Sequence, residues 1–195
     1  MKIGILALQG GFSEHEIVLK KLNINTILIK SKKDLIDLNG IILPGGESTA
    51  IGLLLEKDLE LLNGLKDLIF NSKVIVWGTC AGLILLSENL DQDKKQTTLG
   101  GLPIKVKRNG YGRQLESFIR VLDFTDLPGL DGFPGVFIRA PKIIVSDAQD
   151  LKVLARVDGE AVAIIKDNRI IGTSFHPELS NDTRFHRFFI DLCTQ

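Results

Sequence analysis

Residues 74–82, V-I-V-W-G-T-C-A-G, limit the fold more than any other stretch. Val74, Ile75, Val76 and Trp77 read as a buried strand. Gly78, Thr79, Cys80, Ala81 and Gly82 then give G-x-C-x-G, and the apolar run 83–86 starts a helix. A strand that turns at once into a helix around a central nucleophile is an elbow, known with serine at the top of hydrolase sheets. Flanking glycines let the backbone pass close to its neighbours in a strained turn, which leaves Cys80 pointing out at the sheet edge. The helix behind it directs unpaired N–H groups at the sulfur, a setting that favours thiolate over thiol. Buried cysteines more often serve as small core residues, so a reactive Cys80 needs partners elsewhere in the chain.

The totals narrow the class. A chain of 195 residues suits one domain, 1–195, large enough to bury roughly 70% of its unfolded surface. Lysine plus arginine equals aspartate plus glutamate at 24 each, which argues against nucleic acid or an anionic membrane as the main partner. Two cysteines, Cys80 and Cys193, give no disulfide framework and point to a reducing compartment. The opening apolar run is too short for a secretory signal, and no run approaches the ~18 apolar residues that span a bilayer. A soluble, cytoplasmic protein is expected. There is no internal repeat, metal-ligand cluster or complete phosphate-binding fingerprint, so neither a metal nor a cofactor is expected.

Residues 3–8 are the first apolar strand, followed by Gln9, Gly10 and Gly11 as a turn. Ser13 and Glu16 make a capping box with Phe12 and Ile17 as its hydrophobic staple, which predicts a helix to about Leu22. Residues 26–29 and 41–43 read as the second and third strands. Strand, helix, strand without hairpin signals implies parallel pairing. Pro44-Gly45-Gly46-Glu47-Ser48-Thr49 follows at the carboxyl end of the third strand, the edge at which open α/β sheets bind ligands. Its glycines would let main-chain N–H groups reach a ligand. Equally, Ser48 as cap and Glu47 as dipole partner make an ordinary helix start, with Ile51, Leu54 and Leu55 apolar. Leu59, Leu62, Leu65 and Ile69 predict a further helix before the elbow strand.

Residues 91–96 are a polar loop and 102–106 a strand. Arg108 opens a glycine-punctuated loop, 108–114; surface arginines are commonly just solvated. Residues 136–138 form a strand ending at Arg139, well placed to hold a carboxylate bidentately. Asp158-Gly159 and Asp167-Asn168 are hairpin signals that join 153–157, 161–165 and 170–175 into an antiparallel meander. The last strand runs into His176-Pro177-Glu178. Proline keeps its predecessor extended, and residues i and i+2 of an extended chain share a side, so Glu178 can orient His176. Nucleophile, base and orienter are the general parts of covalent hydrolysis. His15, in the first turn of a capped helix, and His186, on the final helix, are weaker candidates. Phe185, Phe188, Phe189 and Leu192 recur at helical spacing as a core face, where Cys193 is expected to pack.

With G-T-C-A-G at 78–82 and F-H-P-E at 175–178 in place, the chain resembles the class I, triad-type glutamine amidotransferases. L-A-L-Q-G at 6–10, P-G-G-E-S-T at 44–49, R-N-x-x-G-R-Q at 108–114 and F-I-R-A-P at 137–141 make it similar, within that class, to the family of glutaminase subunits of pyridoxal 5′-phosphate synthase. Gly110 stands where that pattern would carry alanine or serine. The resemblance implies an α/β, three-layer α/β/α, flavodoxin-like fold with a mixed, mostly parallel sheet and an antiparallel extension. It implies that Cys80 attacks the side-chain amide of L-glutamine, that His176 moves the proton, and that Glu178 orients His176. Gly46 and Ala81 would offer N–H groups to the oxyanion. Gly46, Glu47, Ser48, Arg108, Ile138 and Arg139 would hold the substrate. Ammonia would pass to a separate synthase subunit, docked around Gln9 and Gly10. Other readings differ at testable points: another ammonia acceptor lacks R-N-x-x-G-R-Q with F-I-R-A-P, a peptidase ignores free glutamine, and an interaction module needs no intact Cys80, His176 and Glu178.

Overall fold

The computed structural model of the chain describes residues 1–91, 96–110, 117–127, 129–145 and 150–195. The first apolar run forms β1 (Ile3–Leu6), which leads through α1 (Phe12–Lys21) to β2 (Thr26–Ile29). Then come β3 (Gly40–Leu43), α2 (Ser48–Lys57), α3 (Leu59–Asn71), β4 (Ile75–Thr79) and α4 (Ala81–Leu86). Short strands follow: β5 (Ser87–Leu90), β6 (Leu102–Lys107), β7 (Ser117–Leu122), β8 (Phe133–Ile138) and β9 (Lys142–Val145). The chain closes with β10 (Leu151–Val157), β11 (Glu160–Lys166), β12 (Ile170–Thr173) and α5 (Arg184–Cys193).

The main sheet has seven strands in the order β10-β11-β12-β4-β3-β1-β2. Its β12, β4, β3, β1 and β2 run parallel, and β10 and β11 extend it antiparallel. Strand alternation sends Ile41, Leu43 and Val76 to one core, shared with α2, α3 and α4, and Ile42 and Trp77 to the other, shared with α1 and α5. Helices therefore cover both faces of a mixed sheet, giving three layers. Both hairpins of the extension use the turn the sequence announced. Asp158 and Gly159 have φ of 49° and 83°, and Asp167 and Asn168 both have φ of 52°. Left-handed residues at both central positions match the natural twist of paired strands.

Several local expectations are corrected. β1 stops at Leu6, and the chain turns toward the sheet edge earlier than the apolar run suggested. The capping box at Ser13 does not form: α1 is capped by Gly11 with no side-chain bond, and the Ser13 hydroxyl donates to Glu14 instead. A tertiary bond fixes this entry, since Gly11 N–H donates to the Gly45 carbonyl at 2.9 Å. Ile17, cast as half of a staple, is 55% exposed. Two small sheets, β5-β6-β9 and β7-β8, add to the expected strands. β8 begins at Phe133, three residues ahead of the predicted strand. On α5 the fully buried face is Phe185, His186 and Phe189, with Phe188 and Leu192 at its margin. Cys193 packs against β3 as expected: a Cβ on Gly40 would lie 2.5 Å from its sulfur. None of the described helices is long and apolar enough to cross a membrane.

Candidate active site

Cys80 sits alone between β4 and α4 with φ 45° and ψ −98°. A positive φ on a non-glycine residue is uncommon and costs of order 1–3 kcal/mol, so the surroundings must hold it. Its N–H donates to the Thr173 carbonyl of β12 at 2.8 Å, and its carbonyl accepts from Ile84 N–H at 3.1 Å. The glycines of the elbow are required by close approach. A Cβ on Gly82 would lie 1.9 Å from the Leu43 carbonyl oxygen, and one on Gly78 would lie 2.5 Å from the Gly82 backbone. α4 is six buried residues, under about two turns. It brings the unpaired N–H groups of a helix start rather than a long dipole, which leaves His176 as the main electrostatic partner of the sulfur.

His176 follows β12, where its N–H donates to the Val136 carbonyl of β8 at 2.8 Å. The extended geometry expected through Glu178 is not what forms. Pro177–Leu179 is a 3-10 turn with proline at its start, a position where proline costs no hydrogen bond. The turn still brings the carboxylate to the ring, and His176 Nδ1 donates to Glu178 Oε1 at 2.7 Å. On its other side, the ring lies against Gly45, where a Cβ would come within 2.4 Å of His176 Cε1 and 3.5 Å of Cys80 Cβ. The first glycine of P-G-G thus makes the space in which imidazole and cysteine meet. Burial works against charge on His176, but hydrogen bonds to Cys80 and Glu178, and their negative charge, outweigh it and push its pKa up to about 10. Burial also opposes charge on Glu178; the facing imidazoles His15 and His176 outweigh it and hold the carboxyl below its usual range. The favoured pairing at this end of the site is therefore a His176 imidazolium beside the Glu178 carboxylate.

A cavity of about 410 Å³ opens above Cys80 and His176. Gln9, Gly46, Glu47, Ser48, Arg108, Ile138 and Arg139, all singled out from the sequence, line it. Ile84 and Asn109 line it too and were missed. Ile84 stands four residues beyond Cys80, a helical spacing that could have revealed it. Gly10, Ala81 and Glu178, also singled out, are not among its lining residues. Gly10 has φ 101°, and a Cβ there would lie 1.9 Å from the Gly45 oxygen.

The cavity wall is charged and ordered. Glu47, not Ser48, caps α2: its carboxylate accepts from Thr49 N–H at 3.0 Å and Ala50 N–H at 2.7 Å. Arg108 Nη2 donates to Glu47 Oε1 at 3.1 Å, while Nη1 donates to Thr49 Oγ1 at 2.8 Å and Gln96 Oε1 at 3.1 Å. Partial burial opposes ionisation of Glu47, but these backbone donors and Arg108 hold its carboxyl below the ordinary range. Arg139 directly follows β8 with φ 43°. Among the described residues its guanidinium has no hydrogen-bond or ion-pair partner, which suits it to an incoming carboxylate. Gln9 Oε1 accepts from Glu47 N–H at 2.8 Å, so the first loop is latched onto the P-G-G-E turn. A Cβ on Gly110 would lie 2.3 Å from Lys142 Cγ, which accounts for glycine there. Residues 111–116, with the second half of R-N-x-x-G-R-Q, and 92–95 of the polar loop lie outside the described residues. His15 and His186 prove to be buried directly behind Glu178.

A mixed α/β sheet carrying a cysteine elbow, an adjoining histidine–carboxylate pair and an arginine-lined cavity is the architecture of an amidotransferase-type site. Comparison with known proteins agrees. The model of the SNO glutamine amidotransferase family matches residues 5–195. The pyridoxal 5′-phosphate synthase subunit PdxT of Dehalococcoides mccartyi is 44% identical over 193 residues, covering 98% of this chain and 97% of the relative. That of Haemophilus influenzae is 46% identical over 197 residues, covering 99% and 98%. A solved glutamine amidotransferase superposes with a TM-score of 0.90 at 38% identity, covering 99% of both chains. The chain belongs to the SNO glutamine amidotransferase family.

Proposed function

We propose that the chain is the glutaminase subunit of a pyridoxal 5′-phosphate synthase, acting in the cytoplasm as one amidotransferase domain over residues 1–195. The observation that carries this reading is the meeting of Cys80 and His176 at the floor of an arginine-lined cavity, with His176 hydrogen-bonded to Glu178. The Cys80 thiolate attacks the side-chain amide carbon of L-glutamine. Negative charge moves to the amide oxygen, where preorganised N–H groups stabilise it; Ala81 and Gly46 are the assigned donors. The imidazolium of His176 gives its proton to the departing nitrogen, ammonia leaves, and a thioester remains on Cys80. Neutral His176 then takes a proton from water, hydroxide attacks the thioester, and glutamate departs. Glu178 holds the ring and stabilises its charge through both halves. Arg139 takes the α-carboxylate. Gly46, Glu47, Ser48, Arg108 and Ile138 shape the rest of the binding site, with Glu47 and Arg108 bracing one another.

Ammonia goes to a separate synthase subunit, which builds the vitamin B6 ring. That partner docks around Gln9 and Gly10. The latch between Gln9 and Glu47 N–H, beside Gly46, supports this placement, because a partner that moves Gln9 reaches the oxyanion donors. Gln9→Ala should therefore lower synthase-stimulated glutamate release by at least about tenfold, and unchanged complex formation and turnover would contradict the docking assignment. A glutamine-analogue affinity label tests the nucleophile. Mass should appear on the Cys80 peptide and not on Cys193, whose thiol burial pushes up to about 12. A folded chain in which Cys80 stays unlabelled would overturn the reading.

A further inference from the structure

Glu178 is buried, and only one of its two oxygens is accounted for by His176. Oε1 takes the Nδ1–H of His176 at 2.7 Å. Oε2 is fully buried with no close hydrogen-bond partner, and the group facing it is His15 Nε2 at 3.4 Å. His15 lies on α1 and is 0% exposed; its Nδ1 is 3.0 Å from Nε2 of His186, on α5 and also 0% exposed. Neither histidine has a part in the mechanism above.

The negative charge facing His15 favours one arrangement of protons. An ionised carboxylate only accepts hydrogen bonds, so His15 must present Nε2–H to Glu178, sharing it with Thr79 Oγ1 at 3.4 Å. Burial, followed by the neighbouring His176 charge, holds the His15 pKa down against Glu178 and Glu14, which raise it. Burial, followed by His15, holds His186 well down. Burial thus outweighs the pull of Glu178 and both rings are neutral near neutral pH, so His15 favours the Glu178 carboxylate through its N–H dipole rather than a net charge, and a neutral imidazole carries one N–H. With that proton on Nε2, the Nδ1 of His15 can only accept, so His186 donates from Nε2. The remaining nitrogen of His186, Nδ1, is buried without a partner, as a bare acceptor in an apolar wall would be. Trp77 fixes both rings from the side, edge-on to His15 at 5.4 Å and to His186 at 4.9 Å, and its own N–H is committed to Thr173 at 3.2 Å.

We propose that His15 and His186 are positioning residues for the reaction at Cys80: His186 sets the tautomer of His15, and His15 supplies the donor for the second oxygen of Glu178. The carboxylate is thereby held from both sides and cannot pivot away from His176. The inference rests on the glutaminase reading above.

The chain contains three histidines, so nitrogen-15 NMR of the histidine-labelled protein near neutral pH reads the arrangement without any substitution. Two rings should be neutral Nε2–H tautomers and one, His176, doubly protonated. An Nδ1–H tautomer or a doubly protonated ring at His15 or His186 would overturn the proposal. Function is read with His15→Phe, which keeps a ring and removes the donor, and His15→Gln, which restores an N–H near the position of Nε2. With the synthase subunit present, His15→Phe should lower kcat roughly ten- to a hundredfold, the usual range for residues that orient a reactive group, with KM within about twofold. His15→Gln should recover most of that loss. The pH profile of Cys80 alkylation by iodoacetamide should move to higher pH in His15→Phe alone, because a less firmly held Glu178 supports the imidazolium less well. Wild-type kinetics in His15→Phe, or equal losses in both variants with an unmoved alkylation profile, would overturn the chain of imidazoles. Cys80→Ala separates the two levels: turnover surviving it sinks the glutaminase reading and this inference together, whereas its abolition beside a wild-type His15→Phe sinks only the inference.

Discussion

Replacing His176 with alanine is expected to reduce glutamate release about 10⁴-fold or more, the scale seen when one member of such a catalytic unit is removed. The size follows from two duties on one ring. On the proposed mechanism His176 is the cation beside the Cys80 sulfur and, among the described residues lining the cavity, the group that hands a proton to the departing nitrogen. Without that proton the leaving group is an amide anion, and the tetrahedral intermediate returns to substrate. Losses at residues that act as one unit do not add, so the Cys80→Ala, His176→Ala double variant should be no slower than Cys80→Ala. The check is a discontinuous glutamate assay with the synthase subunit present, alongside circular dichroism to establish folding. A folded His176→Ala protein retaining more than about a tenth of wild-type turnover would conflict with both duties.

The second large effect is electrostatic. In the wild type His176 should titrate at about 10. After burial, which lowers the value, donation from the protonated ring to Cys80 is the first influence raising it, and the charge of Cys80 adds to this. Cys80→Ala removes both and leaves Glu178 as the remaining support, so the His176 ring should titrate markedly lower in that variant. The consequence for stability has a definite sign. A histidine whose pKa rises on folding, here from 6.5 to about 10, contributes stability that is complete below about 6.5 and is lost as pH rises through about 10. Glu178 is shifted the other way; its contribution is present above the ordinary carboxyl range and fades as pH falls through its lowered value. Denaturant melts across pH should therefore show an alkaline loss in the wild type that is flatter in Cys80→Ala. Identical His176 titration in the two proteins would show that Cys80 and His176 are not coupled.

The parts of the site carried by short contiguous runs were legible in the sequence. G-T-C-A-G announces an elbow because its glycines meet backbone on both sides, at Leu43 and within the turn itself. P-G-G-E-S-T lies at a strand end that faces the elbow, and the two D-G and D-N turns declare the antiparallel extension. The pairing of His176 with Glu178 was readable too, although a 3-10 turn rather than an extended chain delivers it. Features set by distant contacts were not legible. The start of α1 is decided by Gly45, more than thirty residues away, and not by Ser13. β5 is polar and half-exposed, and β7 leaves Ile119 and Val121 exposed, so neither strand shows a clean alternation. His15 and His186 are 171 positions apart and meet only because α1 and α5 share one face of the sheet. In the sequence each looks like an isolated helical histidine.

The most direct measurement of the central claim is glutamate release from glutamine by the wild type and by Cys80→Ala, each with and without the pyridoxal 5′-phosphate synthase subunit. The predicted result is release that rises when the synthase subunit is added and vanishes in Cys80→Ala. Undiminished release from Cys80→Ala, or no release from a folded wild-type chain shown to bind the synthase subunit, would contradict it.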